Sequence, residues 1–236
     1  MNKKLKRILT ISMISVLLVG SGIGAYFIVE NIKYRHQYNE FYKLYQQHYA
    51  DRLALFEEEN KTLNDVDVVF LGDSLTEGYD LKTYYPEYNV VNRGIGGDTT
   101  FGLEKRLQVS AYDISPKMVM VLIGVNNLDT MLNNYENIVV SLKENLPSSD
   151  ITLLSLTSMT KEWGRNNEKA QKKNIKIKEY ADKHNLRYLD LYNPLLDETT
   201  NELRLEYTTD GGHFTLAGYE VITSVIKPVI TAYLGK

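Results

Sequence analysis

From residue 63 to the C-terminus, short apolar segments rich in β-branched residues alternate with longer segments of helical periodicity. Five segments predict strands: 66–72, 88–92, 117–124, 150–156 and 186–191. Four segments predict helices: about 99–109, 133–146, 164–184 and 215–233. Strands that are apolar throughout and alternate with helices form parallel sheets buried on both faces, so this order predicts an α/β domain with a five-stranded parallel sheet.

Ligands of such sheets bind beyond the carboxyl ends of the strands. The sequence "FLGDSLTEG" (70–78) places Ser74 at such an end. A serine there is either the N-cap of the next helix or a nucleophile, and the position alone leaves both roles open. The glycine spacing of the G-x-S-x-G elbow is absent around Ser74, which argues against the α/β-hydrolase fold.

A nucleophilic serine needs a base, and the chain has four histidines. His36 and His48 lie in the predicted membrane-proximal helix of residues 30–62, and His184 ends another predicted helix. His213 remains, in "TTDGGHFTLAGY", with Asp210 three residues before it and two glycines between them. A tight turn there would let the carboxylate orient the imidazole ring, while an ordinary loop before the last helix is the alternative.

Acyl transfer also needs hydrogen-bond donors for an oxyanion. The segment "NRGIGGDTT" (92–100) offers backbone N–H groups after a strand, or else forms a glycine-rich turn in which Asp98 caps the next helix. Asn126 and Asn127 follow the next buried strand, where they supply side-chain donors or form a plain turn.

The four blocks "GDSL", "NRGIGGDTT", "GVNN" and "DGGH" occur in this order. Together they make the chain resemble the SGNH/GDSL hydrolase family over about residues 66–232. The resemblance implies a flavodoxin-like three-layer αβα sandwich and ester hydrolysis through an acyl-serine, with no cofactor or metal. The wording is most similar to the platelet-activating-factor acetylhydrolase and lysophospholipase-like branch, which implies short acyl groups, acetyl above all. One departure is Asn127, where many members have Asp.

The resemblance assigns five site residues by their places in the blocks. Ser74 would be the nucleophile and would lend its backbone N–H to the oxyanion hole. Gly97, which precedes "DT", and Asn126 would supply the other oxyanion donors. His213 would be the general base, and Asp210 would orient it.

The N-terminus has a different composition from the rest of the chain. Residues 1–7 carry four basic side chains, and residues 8–29 contain no charge. Twenty-two helical residues extend about 33 Å, which is enough to cross the hydrocarbon core. The sequence therefore predicts a single-pass anchor with a cytoplasmic tail. A cleaved signal peptide, which would give a secreted protein, and a buried helix are the alternatives.

Residues 30–62 combine polar and aromatic side chains at helical spacing, which predicts a membrane-proximal amphipathic helix or stalk. Residues 63–236 would form the hydrolase domain outside the membrane.

The net charge of −3 gives no indication of nucleic-acid binding, and the absence of cysteine excludes disulfides and thiolate catalysis.

These features predict a membrane-anchored extracytoplasmic esterase that acts on a small-molecule, glycan or lipid ester. Two alternatives remain from the sequence. An O-acyltransferase would use the same residues with an acceptor hydroxyl in place of water, and a non-catalytic surface binding module would keep only the fold. The sequence indicates no oligomeric state.

Overall fold

The structure, a computed structural model, describes the backbone of residues 3–235 and the side chains of residues 29–40 and 42–235. The chain divides into two compact units, Met1–His48 and Tyr49–Lys236. Helix α1 (Lys3–Asn60) supplies residues to both units. In the first unit, the described side chains from residue 29 onward are exposed, apart from the half-buried Tyr45.

Within the described residues, no helix combines the length and apolar character needed to cross a membrane. The span predicted at 8–29 lies, apart from Val29, outside the residues whose side chains the structure describes.

The five predicted strands form a single parallel sheet, as expected. They are β1 (Val68–Gly72), β2 (Val90–Gly94), β3 (Met118–Leu122), β4 (Asp150–Leu154) and β5 (Arg187–Leu189). The strand order is β2-β1-β3-β4-β5, which is the flavodoxin-like order. After β1, the chain adds β2 on one side of β1 and then β3, β4 and β5 on the other side. The carboxyl ends of β1 and β3 therefore flank the switch point, where ligands bind in such sheets.

Helices connect the strands and cover both faces. They are α2 (Ser74–Glu77), α3 (Leu81–Tyr84), α4 (Thr100–Lys105), α5 (Leu107–Ser110), α6 (Tyr135–Asn145), α7 (Asn167–His184), α8 (Tyr192–Leu195) and α9 (Leu216–Leu234). The helix predicted over 99–109 is divided in two at Arg106, and the sequence also missed a short antiparallel pair, β6 (Leu196–Asp197) with β7 (Glu202–Leu203).

The core has two layers because alternate strand residues point to opposite faces of the sheet. Val69 and Leu71 belong to the cluster beneath α4, α5, α6 and α7. Val68 and Phe70 belong to the cluster beneath α9 and the short helices α2, α3 and α8. Strands buried on both faces are apolar at consecutive positions, which is why these segments lack polar alternation. The three-layer αβα sandwich is confirmed.

The last turns of α1 belong to the same compact unit as the sheet. Phe56 is fully buried there, and the guanidinium groups of Arg52 and Arg93 lie 4.8 and 4.5 Å from the centre of its ring. Arg93 also bonds to Glu59 and donates to Asn60 Oδ1 at 2.7 Å. A cation above a desolvated aromatic face is favourable, so Phe56 stabilises two charges that burial would otherwise penalise.

Substitution of Leu142, a residue of α6, tests how much the core on this face of the sheet contributes to stability. Its side chain is fully buried in the cluster that faces α4–α7. We expect Leu142→Ala to lower the free energy of unfolding by about 2–5 kcal/mol, because truncation removes apolar contacts and leaves a cavity. Urea unfolding measures the change. Leu205→Ala is the control, since Leu205 is 77% exposed, and it should change the same quantity by less than about 0.5 kcal/mol.

Candidate active site

Ser74 follows the end of β1, and its half-buried hydroxyl does not cap the helix that begins there. Asp73 is the N-cap of α2, and its carboxylate accepts the Leu75 N–H at 3.1 Å. Gly72 allows the tight approach of this helix, since a Cβ there would lie 2.1 Å from Thr76 Oγ1. Because Asp73 performs the capping, the capping alternative for Ser74 is wrong, and its hydroxyl is available to another partner.

That partner is His213. Ser74 Oγ lies 2.9 Å from His213 Nε2, and His213 Nδ1 lies 2.6 Å from Asp210 Oδ2. The other oxygen of Asp210 accepts the backbone N–H groups of Gly212 (3.0 Å) and His213 (2.8 Å). Gly211 has φ +100°, a conformation that favours glycine and that folds the carboxylate back beneath the ring. The structure thus brings the three predicted residues into one hydrogen-bonded chain.

The Asp210 carboxylate keeps its charge at neutral pH. Desolvation alone would raise the pKa of Asp210. The hydrogen bonds from the His213 ring and from the two backbone N–H groups outweigh desolvation and lower the pKa below its ordinary value. An ionised carboxylate at Nδ1 holds the proton on that nitrogen, so Nε2 presents its lone pair to the serine.

The segment Gly94–Asp98, hereafter the oxyanion loop, leaves one backbone N–H available for a ligand. The N–H groups of Ile95, Gly96 and Asp98 donate to protein acceptors. Among the described residues, no protein acceptor is found for the N–H groups of Gly97 and Ser74. Gly97 has φ +77°, which explains the glycine at this position.

Asn126 follows β3 and faces the same loop. Its Nδ2 donates to the Asp98 carbonyl at 3.0 Å, and its Oδ1 accepts from Arg165 at 3.3 Å. An amide nitrogen carries two hydrogens, so one remains for a ligand while the other fixes the orientation of the group.

The chain's single tryptophan lies beside the imidazole. The Trp163 and His213 rings meet edge to face with centroids 5.6 Å apart, and the Arg165 guanidinium lies 5.5 Å from the indole. A Cβ on Gly212 would lie 2.0 Å from an indole carbon. Gly212 is therefore required by this close approach. The sequence placed Trp163 in a loop, 157–166, expected to border the substrate, but it gave no sign that the indole packs on His213 or that Arg165 lies beside it.

A polar cavity of about 390 Å³ adjoins Asn126. Arg165 and the ion pair between Lys169 and Asp129 (2.7 Å) also line it. Across residues 29–40 and 42–235, no group of three or more acidic or histidine side chains is arranged to bind a metal ion.

The profile of the GDSL-like lipase/acylhydrolase family matches residues 70–221, which is more than half of the chain. The chain belongs to this family. It is a carboxylic ester hydrolase, and membership of the family implies small-molecule ester substrates. No curated protein matches the sequence.

Solved structures agree with this assignment. A candidate platelet activating factor from Streptococcus pneumonia is 27% identical, with a TM-score of 0.75 over 80% of this chain and 96% of that one. A GDSL-like lipase from Bacteroides thetaiotaomicron is 25% identical, with a TM-score of 0.65 over 80% and 97%. An acetylxylan esterase from Geobacillus stearothermophilus is 19% identical, with a TM-score of 0.58 over 71% and 95%, and it shares the fold.

Asn127, the departure from the usual family pattern, supports the start of α4. Its Oδ1 accepts the Thr100 N–H at 3.2 Å, and its Nδ2 donates to Thr100 Oγ1 at 2.9 Å. The Thr100 hydroxyl in turn donates to Asn134 Oδ1 at 2.6 Å. An oxygen that donates its own hydrogen elsewhere needs a donor, and an amide supplies one where a carboxylate does not.

Asp98 is a buried ion-pair partner rather than a helix cap, so that alternative is wrong. Thr99 caps α4, and Asp98 Oδ2 accepts from Arg106 Nε at 2.8 Å. Nη1 of Arg106 donates to the Arg93 carbonyl and to Ser110 Oγ, and Nη2 donates to the Gly72 carbonyl, each at 2.9 Å. Burial raises the pKa of Asp98, and the Arg106 charge opposes that shift.

Asp73, the residue before Ser74 in the GDSL block, is 1% exposed. Desolvation raises the pKa of its carboxyl from 3.8 to about 7, with a smaller increase from Asp98, while the Leu75 N–H opposes the shift. Desolvation dominates because burial favours the neutral acid.

This shift predicts a pH-dependent stability. Unfolded Asp73 loses its proton near pH 4 and folded Asp73 near pH 7, so between these values the unfolded state binds fewer protons and stability falls as pH rises. The slope approaches about 1.4 kcal/mol per pH unit. Asp73→Asn keeps an acceptor for Leu75 but removes the titration. We expect the variant to gain stability relative to the parent by about 2 kcal/mol between pH 5 and pH 8.

Urea unfolding of both proteins at the two pH values measures this difference. A constant offset between the variant and the parent would show that Asp73 titrates identically in the folded and unfolded states. That result would contradict the prediction.

Proposed function

We propose that this chain hydrolyses short-chain esters, acetyl esters above all, through an acyl-serine formed on Ser74. The observation that carries the proposal is the continuous hydrogen-bonded chain from Ser74 Oγ through His213 to Asp210. The candidate oxyanion donors are the Asn126 amide and the N–H groups of Ser74 and Gly97, for which the described residues offer no acceptor. A nucleophile, its base, the residue that orients the base and oxyanion donors are the parts that acyl transfer requires.

In the first step, His213 Nε2 removes the Ser74 proton while Oγ bonds to the ester carbonyl carbon. The carbonyl oxygen gains the electron pair of the opened double bond. The N–H groups of Ser74 and Gly97 and the free N–H of Asn126 stabilise this oxyanion. The carbonyl then re-forms, the bond to the alcohol oxygen breaks, and His213 gives its proton to the leaving alcohol.

In the second step, water replaces the alcohol. His213 removes a proton from water as its oxygen attacks the acyl carbon, and the same donors stabilise the second oxyanion. The intermediate collapses, the bond to Ser74 Oγ breaks, and His213 returns the proton to the serine. Asp210 stays ionised throughout and stabilises the imidazolium.

The surroundings of Asn126 favour a polar substrate. The cavity beside it is lined by amide, charged and hydroxyl side chains, including Arg165, Lys169 and Thr130. Polar groups of this kind lose their hydrogen bonds to water when a ligand covers them. A hydroxyl-rich ligand replaces those bonds and a long hydrocarbon chain does not, so the cavity favours the hydroxyl-rich ligand. We therefore propose a short acyl group carried on a carbohydrate or on another polar surface ester.

Turnover of p-nitrophenyl acetate by the full chain tests the site. We expect Ser74→Ala and His213→Ala each to remove most activity, and the double variant to lose little more, because the two residues act as a unit. Asn126→Ala should lower turnover about 100-fold or more, because it removes an oxyanion donor. Tyr233→Ala, at an exposed residue of α9, is the control and should retain full activity.

Equal turnover by the parent and Ser74→Ala would overturn the acyl-serine proposal and favour a binding module. Acetylated glycans offered with a second glycan as acceptor extend the test to the natural reaction. Release of free acetate alone agrees with hydrolysis, and acetyl found on the acceptor by mass spectrometry would identify a transferase.

We also propose that residues 8–29 anchor the chain in the cell membrane, with the catalytic unit outside the cytoplasm. The proposal is supported by the uncharged length of this segment and by the basic residues 1–7 before it. A surface location would place the esterase beside surface glycans and lipids.

Membrane fractionation tests the anchor. The full chain should stay in the membrane pellet after alkaline carbonate extraction, while a chain lacking residues 1–29 should be recovered in the soluble fraction. Protease added to intact cells should degrade the catalytic unit if it lies outside. Recovery of an N-terminally shortened chain in the medium would indicate a cleaved signal peptide instead.

A further inference from the structure

The oxyanion loop is held by bonds on both sides of Gly97. The N–H groups of Ile95 and Asp98 donate to backbone carbonyls at 3.1 and 3.0 Å, and that of Gly94 donates to a side chain at 2.9 Å. These three bonds are local or come from the neighbouring strand. Two charged side chains, one on α1 and one on α2, make three further bonds to the loop.

Glu77 supplies the first of them. It is the last residue of α2, the helix that begins with Ser74, and its Oε2 accepts the Gly96 N–H at 2.5 Å. The loop also packs directly on this helix, since a Cβ on Gly94 would lie 2.1 Å from the Glu77 nitrogen. The helix that presents the nucleophile therefore also fixes the peptide next to the predicted oxyanion donor.

Arg52, near the end of α1, supplies the second. Its Nη2 and Nε donate to the Gly94 carbonyl at 2.9 and 3.2 Å, and Nε lies 3.5 Å from Glu77 Oε1. The Arg52 and Glu77 side chains are only 19% and 25% exposed. The guanidinium rests 4.8 Å from the Phe56 ring centre, which limits its freedom. One ion pair thus binds the loop at both Gly94 and Gly96.

We propose that Arg52 and Glu77 are positioning residues that hold the Gly97 N–H in the direction an ester oxyanion needs. This inference rests on the proposed acyl-serine chemistry. An oxyanion donor acts only when it is aimed before charge develops, within about 0.5 Å of the productive place. Arg52 also lies outside the residues matched by the family profile. The end of α1 therefore contributes to the site, because Arg52 helps to position the oxyanion loop.

Four variants of the full chain test the inference: Glu77→Ala, Glu77→Gln, Arg52→Gln and, as control, Glu58→Gln. Glu58 lies on the same helix as Arg52, pairs with Lys61 and is 72% exposed. The readouts are kcat and KM for p-nitrophenyl acetate, the melting temperature, and the rate of inactivation by diethyl p-nitrophenyl phosphate. That reagent phosphorylates a serine, and its phosphoryl oxygen occupies the oxyanion position.

We expect Glu77→Ala to lower kcat about 10- to 100-fold with little change in KM, because the loss falls on the transition state. The inactivation rate should fall in parallel. Glu77→Gln should lose less, since its amide oxygen still accepts the Gly96 N–H. Arg52→Gln should resemble Glu77→Gln, and the Glu58 control should match the parent in every readout.

The outcomes separate this inference from the proposed function. An inactive Ser74→Ala together with unchanged kcat and inactivation rates in folded Glu77→Ala and Arg52→Gln would overturn the positioning role alone. Turnover by Ser74→Ala would overturn the function itself. A kcat loss that disappears when assays are run well below each variant's melting temperature would reduce the two residues to structural support, which also overturns the inference.

Discussion

A buried guanidinium holds the catalytic edge of the sheet together. Arg106 joins the carbonyls at the ends of β1 and β2 and pairs with Asp98 in the oxyanion loop. Both charged side chains are essentially inaccessible to water. Removing one partner of such a pair costs about 3–5 kcal/mol, because the other charge is left buried and unpaired. The relative placement of the two loops that carry Ser74 and Gly97 thus depends on one side chain at the break between α4 and α5.

The site combines a buried ion pair with a solvent-accessible pair of His213 and Asp210. Asp98 and Arg106 are buried, whereas the side chains of His213 and Asp210 are 41% and 47% exposed. Desolvation raises the pKa of the buried Asp73 carboxyl, while hydrogen bonds lower the pKa of Asp210. Two aspartates near one serine therefore have opposite protonation behaviour, which is set by environment and not by residue type.

Hydrogen bonds to neighbouring groups explain the side chains found at positions 73 and 127. Asp73 accepts the helix N–H that a serine would otherwise accept, and so the Ser74 hydroxyl reaches the imidazole. The amide of Asn127 can donate to the Thr100 hydroxyl, which has already given its own hydrogen to Asn134. At both positions, the donors and acceptors of the neighbouring groups determine which side chain can complete the hydrogen bonds.

The alternation of apolar strands and periodic helices was sufficient to predict the five-stranded parallel sheet, since burial on both faces leaves a local pattern. The resemblance carried by the four blocks predicted a site made of Ser74, Gly97, Asn126, Asp210 and His213, and the structure joins Ser74, His213 and Asp210 by hydrogen bonds. Only the tertiary structure decided which partners meet. Arg106 and Asp98 are eight residues apart, but Arg106 also reaches Gly72, 34 residues away. Arg52 reaches Gly94 over 42 residues. Trp163 packs against His213 from another loop. Such contacts depend on how the elements stack, and a single sequence carries no periodic signal for them.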